Sequence, residues 1–333
     1  MDSDDKDFSS RKDSGSQRQI ITVAGQIGGG KSEVCRQLNK RTGWEIVSGG
    51  AIMRRAATRS GMSILQMNEY ALSHAEIDAE VDNYLISLRQ GSESIIVDSR
   101  LAWHFLPSSF KVYLVVDPQV GAQRIFDATR LDERYTSVEA ACADSIERQR
   151  LETERYLELY SVDCRSWYNY DLIVDTTHAA PEQIADLILE GLKRFQPGAA
   201  RGPECWISPK RLIPAREIPG ISSATAATAG NRDAQPQDDA GLSVAVGVFQ
   251  GSYLIISGDS RVSAAIQKRE PFIPCRLAAF EVEEIAPGLS LRSFAETSTS
   301  LLTIHSWEQS HGFEFISYPP WLVEGEAKTN HPC

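Results

Sequence analysis

Gly25-Gln26-Ile27-Gly28-Gly29-Gly30-Lys31-Ser32 is the stretch whose reading decides how the first half of this chain folds. The apolar run before it, Ile20-Ile21-Thr22-Val23-Ala24, has the composition of a buried strand, and Glu33-Val34-Cys35-Arg36-Gln37-Leu38 after it continues as a helix. Strand, glycine-rich turn, Gly-Lys-Ser and helix, in that order, make a phosphate-binding P-loop in the setting it requires. Gly25 and Gly30 let the backbone turn tightly and approach an anion with no Cβ in the way, and Gly28 and Gly29 complete the cradle. The N–H groups of the turn and of the helix start point at the anion. Lys31 is expected to reach the β- and γ-phosphates of a nucleotide, and the Ser32 hydroxyl to hold Mg²⁺.

Outward from this loop, strands and helices alternate. Trp44–Ser48, Ser94–Asp98, Lys111–Asp117 and Asp171–Thr176 read as strands, with helices between them at about 51–57, 63–71, 74–89 and 119–127. Thr136-Ser137-Val138-Glu139 reads as a capping box that opens a long polar helix to about Tyr160, and Pro181 opens an amphipathic helix ending near Phe195. Nearly all-apolar strands alternating with helices predict an α/β fold with a central parallel sheet covered on both faces. Asp98 closes its strand at the edge where open parallel sheets bind ligands, so its carboxylate can order Mg²⁺ or its waters. Arg100 follows two residues later into the same crevice. Arg148, Glu152 and Arg155 are spaced four and three residues apart and share one helical face. That face is either a solvated ion-pair ladder or the charge-neutralising wall that transfer between two phosphates needs.

Bulk properties narrow the class. The chain has 333 residues, enough for two domains, and a formal charge of -11 that argues against a protein coating nucleic acid. No apolar run is long enough to cross a bilayer, and the acidic start, Met1-Asp2-Ser3-Asp4-Asp5, lacks a signal core. The six cysteines form no CxxC pair and the six histidines do not cluster. Reduced thiols in a cytoplasmic protein are expected. Composition shifts at Gln196–Pro203, rich in Pro, Gly and Ala, which reads as a linker. The expected layout is a disordered tail over 1–18, a first domain over 19–195, the linker over 196–203, and a small α+β domain over 204–333 with a mobile loop at 220–241. The first domain is expected to fold and act alone.

The order of Gly25–Ser32, Ser48–Arg54, Asp98-Ser99-Arg100-Leu101-Ala102, Val112-Tyr113-Leu114, Arg124-Ile125, then Arg148, Glu152, Arg155-Tyr156 and Tyr170–Thr176 resembles cytidylate kinases of the short, archaeal-type branch, over about 19–192. The resemblance implies a P-loop kinase fold and ATP- and Mg²⁺-dependent phosphoryl transfer to CMP or dCMP. It implies that Arg54 and Arg100 contact the acceptor phosphate and that Glu152 and Arg155 contact the acceptor nucleotide. Arg124 and Arg148 would cover the transferring group, with Arg155 beside them. The family's serine or threonine is replaced here by Gly49, and its second lid arginine by Ala128, with Arg130 two residues further on. Two alternatives stay open: a P-loop kinase of another small acceptor, and a nucleotide-gated regulatory protein without turnover.

Beyond the linker, Pro209–Pro214, two strands joined at Gln250-Gly251-Ser252, Gly258-Asp259-Ser260-Arg261 and Ile273-Pro274 resemble the ParB/sulfiredoxin superfamily. Gly258 frees a turn at a helix start and Arg261 supplies a charge, so the turn is either an anion site for a regulatory nucleotide or part of a retained fold that binds nothing.

Overall fold

The apolar runs become strands as expected. In a computed structural model, residues 18–71, 73–128, 135–199, 202–216, 244–281 and 283–323 are described. The expected tail up to residue 17, the loop at 220–241 and Arg130 lie outside them. The first half runs β1 (Ile20–Gly25), α1 (Lys31–Thr42), β2 (Glu45–Ser48), α2 (Gly49–Arg59), α3 (Ile64–Ala71), α4 (Ala75–Ser87), β3 (Ile95–Asp98), α5 (Ala102–Phe105), β4 (Phe110–Val115), α6 (Pro118–Asp127), α7 (Val138–Tyr160), β5 (Leu172–Asp175) and α8 (Pro181–Arg194). The second half adds β6 (Glu204–Ile207), β7 (Leu212–Ile213), β8 (Val244–Phe249), β9 (Ser252–Ser257), α9 (Asp259–Gln267), β10 (Ile273–Phe280), β11 (Glu284–Ala286), β12 (Leu289–Ser290), α10 (Leu291–Ser298), α11 (Leu301–His311) and α12 (Pro320–Val323).

The strands of the first half are parallel in the order β2-β3-β1-β4-β5, with Val23 and Ser48 both in register with Asp98, and Val115 with Asp175. Their carboxyl ends therefore line up along one edge. One local expectation is corrected: Ser137, not Thr136, caps α7, its side chain accepting from the Ala140 N–H at 3.2 Å.

The sheet does not stop where the composition changes. β5 pairs in parallel with β6, through Ile173 and Cys205, and β6 pairs antiparallel with β10, through Cys205 and Cys275. β8, β9 and β7 follow, so that among the described residues ten strands form one sheet. The segment at 196–203 thus separates two compositions but not two sheets. β6 is an interior strand: Cys205 and Ile207 join the core on one face with Val97, Tyr113, Ile173, Val246 and Tyr253, while Trp206 packs against the core under α1 and α8 on the other. The second half also has a core of its own, where Phe249, Leu254, Leu291, Phe294 and Ile304 meet. Among the described residues the five cysteines are free thiols, and no helix is long and apolar enough to cross a membrane.

Ile207 is fully buried in the core that both halves share. Ile207→Ala is expected to cost about 2–5 kcal/mol by cavity formation. Because the sheet is continuous, urea unfolding followed by fluorescence and by far-ultraviolet dichroism should show one transition that shifts as a whole. Two transitions, only one of them displaced, would show that the halves unfold independently.

Candidate active site

The P-loop is shaped by what it lies against. Gly25 has φ 144°, and a Cβ there would sit 2.3 Å from the Leu114 carbonyl oxygen of β4. Gly28 has φ 76°, and its Cβ would sit 2.4 Å from the carbonyl oxygen of Gly121 in α6. Both positions need glycine, for conformation and for room. The Gln26 N–H donates to Leu114 O at 2.9 Å, and its side-chain oxygen accepts from the Val116 N–H at 2.7 Å, which pins the loop to the end of β4. Gly30 starts α1 in the left-handed conformation with no side-chain cap, so the first N–H groups of the helix stay open to an anion.

Lys31 donates to the carbonyls of Gly25 at 3.1 Å and Gln26 at 3.0 Å, across the mouth of the loop. Burial, and then the neighbouring Arg100 guanidinium, pull its ammonium down to about 8, against the opposing pull of Asp98 and Glu152. The Ser32 hydroxyl donates to Asp98 Oδ2 at 3.2 Å. A hydroxyl and one carboxylate are hard oxygen donors, and no group of three or more acidic, histidine or cysteine side chains among the described residues is placed to hold a metal ion by itself. This sparse set fits Mg²⁺, which keeps waters and phosphate oxygens as most of its ligands.

Opposite the loop, α7 supplies a charge cluster around one carboxylate. Glu152 pairs with Arg100 Nε and, at 3.4 Å, with Arg148 Nε. Burial raises its carboxyl group, but Arg100, Arg148, Arg155 and Lys31 together outweigh burial and hold it low. Arg100 also donates to the Gly25 carbonyl at 3.0 Å, so one guanidinium ties the P-loop to Glu152. Arg148 and Glu152 thus face the crevice, and the ladder on α7 is a wall of the site. Arg155 is 2% exposed; its Nε lies 3.2 Å from Asp78 Oδ2, and it donates to the carbonyl and side-chain oxygens of Asn68. Arg124 of α6 donates to Thr176 Oγ1 at 3.2 Å and to the Thr176 carbonyl at 2.8 Å.

These groups line one cleft of about 270 Å³, together with Arg54 of α2. The structure therefore brings together Lys31, Ser32, Asp98, Arg54, Arg100, Arg124, Arg148, Glu152 and Arg155. Sequence reading missed Asn68, Asp78, Asp82, Ser99 and Tyr156, which also line the cleft. The substitution at Gly49 has a steric partner: a Cβ there would lie 2.8 Å from the Ser99 hydroxyl, so Ser99 fills the space beside it. In the second half, Gly258 takes the left-handed conformation expected of it, but Arg261 donates to both carboxylate oxygens of Glu270, at 3.3 and 2.7 Å, so an anion there competes with Glu270.

The sequence profile of a family described as an AAA domain matches residues 21–155. A cytidylate kinase of Methanobrevibacter smithii is 34% identical over 174 residues, covering 52% of this chain and 98% of that protein. One of Thermoplasma volcanium is 36% identical, covering 51% of this chain and 88% of that protein. An S-adenosylmethionine-dependent nucleotide dehydratase of Lacinutrix mariniflava is 33% identical over 171 residues, which are 51% of this chain and 35% of that protein.

The depressed Lys31 ammonium generates a pH test. With its ammonium lowered to about 8, Lys31 is mostly neutral at pH 8.5, and nucleotide phosphates raise its affinity for a proton. ATP binding at pH 8.5 should therefore take up a fraction of a proton, seen as a dependence of calorimetric heat on buffer ionisation enthalpy. The uptake should vanish in Lys31→Ala and at pH 6.5, where Lys31 is already charged. Heats independent of buffer at pH 8.5 would place the proton elsewhere.

Proposed function

Through its N-terminal half this chain belongs to the cytidylate kinase family, and from that premise we propose that it transfers the γ-phosphoryl group of Mg²⁺-bound ATP to CMP or dCMP. Nucleoside monophosphate kinase activity follows from the relatives, and cytidine as the acceptor's base is what we add to it. The observation that supports transfer to a phosphorylated acceptor is one cleft lined both by Lys31 with the uncapped start of α1 and by Arg54, Arg100 and Arg148. A P-loop that only hydrolyses ATP has no need of a second anion-binding wall, whereas two phosphorylated substrates do.

In this reading an oxygen of the acceptor phosphate attacks the γ-phosphorus while the bond to the β–γ bridging oxygen breaks, and ADP leaves. The reaction asks the protein for alignment and charge stabilisation and for little covalent chemistry. Lys31 and the N–H groups of 28–32 hold the donor phosphates. Arg54 and Arg100 orient the acceptor phosphate, and Arg124 and Arg148 neutralise charge at the transferring group. Glu152, paired with Arg100 and Arg148, keeps both guanidinium groups pointed inward, where phosphates can take its place as their partner. Mg²⁺, held through Ser32 and Asp98, adds Lewis-acid stabilisation of phosphate charge when bound. At the far end Asn68, Asp78 and Arg155 offer buried acceptors and a donor to the acceptor nucleotide.

An acceptor screen with the full chain tests this directly. CMP or dCMP should give ADP and the corresponding diphosphate. Lys31→Ala should lower turnover by on the order of 10²–10³ or more, because it removes charge stabilisation without disturbing the core. Arg54→Ala should raise KM for CMP more than KM for ATP. Turnover confined to a non-nucleotide acceptor would sink the cytidine assignment, and ATP binding without transfer to any acceptor would favour a regulatory protein.

A further inference from the structure

Two carboxylates lie buried side by side just outside the cleft, and the second half of the chain supplies their counter-charge. Asp117 precedes α6 and caps it, accepting from the Gln119 N–H at 3.0 Å. Asp175 ends β5, next to β4 in the sheet. The two are 3% and 0% exposed. Arg211, in the single helical turn Pro209–Arg211 that follows β6, enters between them: its Nη1 donates to Asp175 Oδ1 at 3.3 Å, and its Nε lies 4.0 Å from Asp117 Oδ2. Tyr253 of β9 orients the guanidinium, accepting from it at 3.3 Å with the ring 4.6 Å away. Two further contacts come from the same half. The Ser208 N–H donates to Asp175 Oδ2 at 3.2 Å, and the Ser317 hydroxyl donates to Asp117 Oδ1 at 3.0 Å.

What these carboxylates hold is part of the site. Asp175 Oδ1 accepts from the Thr177 N–H at 3.0 Å and from its hydroxyl at 2.6 Å, and Thr177 Oγ1 in turn accepts from the Asp117 N–H at 2.9 Å. Thr176 is fixed on Val115 O through its N–H at 2.8 Å. The carbonyls of Thr176 and Thr177 are then the acceptors that aim Arg124 into the cleft. The helix that Asp117 caps is the one whose Gly121 packs on Gly28 of the P-loop. One guanidinium from beyond residue 203 is therefore linked to Arg124 through Asp175 and Thr177, and to the P-loop through Asp117 and α6.

We propose that Arg211, with Ser317, is a positioning residue for the kinase site: by bridging Asp117 and Asp175 it sets the start of α6 and the turn at 176–177, and so makes donor binding depend on the second half. This rests on the P-loop kinase reading but not on the identity of the acceptor, and it is an alternative to the expectation that residues 19–195 act alone. A bridge between two buried carboxylates asks for a planar, permanently charged fork; lysine supplies the charge without the two-sided geometry.

The test uses the full chain and Mg²⁺-ATP, with affinity read by calorimetry and kcat and KM read with whichever acceptor turns over. Arg211→Met should weaken ATP binding or kcat/KM for ATP on the order of ten- to a hundredfold, the scale of remote misplacement. Arg211→Lys should recover part of that loss, and Ser317→Ala should show a smaller loss of the same kind, with KM for the acceptor unchanged in both. In an Arg124→Ala background the Arg211→Met effect should shrink, because both act through the turn at 176–177. A purely structural Arg211 would lower the melting temperature while leaving ATP affinity and kcat/KM as in the unmodified chain, or would add in full to Arg124→Ala; either result overturns the proposal. If Arg211→Met fails to fold, Arg211→Lys and Ser317→Ala decide: unmodified donor kinetics in both refute it. Failure of CMP as acceptor alongside altered ATP binding would count against the cytidine assignment and leave this proposal standing.

Discussion

The backbone of the P-loop lies directly on the backbone of its neighbours, and the rest of the site is built around that close approach. At Gly25 and Gly28 there is no space for a single methyl group, because carbonyl oxygens of Leu114 and Gly121 occupy it. Such contacts cannot be relieved by a rotamer change, so β1, β4 and α6 are held at fixed spacing. The groups next to those contacts inherit the geometry: Lys31 at the start of α1, which the P-loop joins to β1, Arg124 from α6, and Asp117 after β4.

Charge is the second constraint. Lys31, Arg100, Arg148 and Arg155 all act on one buried carboxylate, Glu152. That carboxylate offsets part of their mutual repulsion, while burial first and the Arg100 guanidinium second depress the Lys31 ammonium. The cluster is thus poised for more negative charge than the protein itself provides, which two phosphorylated substrates would bring. A similar balance recurs outside the cleft with the signs exchanged, where Arg211 answers Asp117 and Asp175.

Composition and architecture part company at residues 196–203. A Pro-, Gly- and Ala-rich stretch is a sound signal of irregular chain, and no strand or helix occupies it among the described residues. Irregular chain need not mean a domain boundary. β6 follows at once, and its hydrogen bonds to β5 and β10 carry the sheet across. Short strands such as Glu204–Ile207 look alike in sequence whether they edge a small domain or bridge two halves of a larger one.

By itself the sequence determined the elements whose signals are local. The P-loop declares itself through glycines whose conformation and clearance are needed at those positions. The strands show as apolar runs, because both faces of a parallel sheet are covered. The ordered arginines and Glu152 followed from resemblance, and helical spacing alone put Arg148, Glu152 and Arg155 on one face. Only the tertiary structure decided which long-range partners those residues meet. Arg155 finds Asn68 at a separation of 87 residues, Arg211 finds Asp175 at 36, and Ser317 finds Asp117 at 200. Such pairs leave no periodicity and no spacing rule in the chain, since a buried charge specifies only that some partner must reach it, and the fold determines which one does.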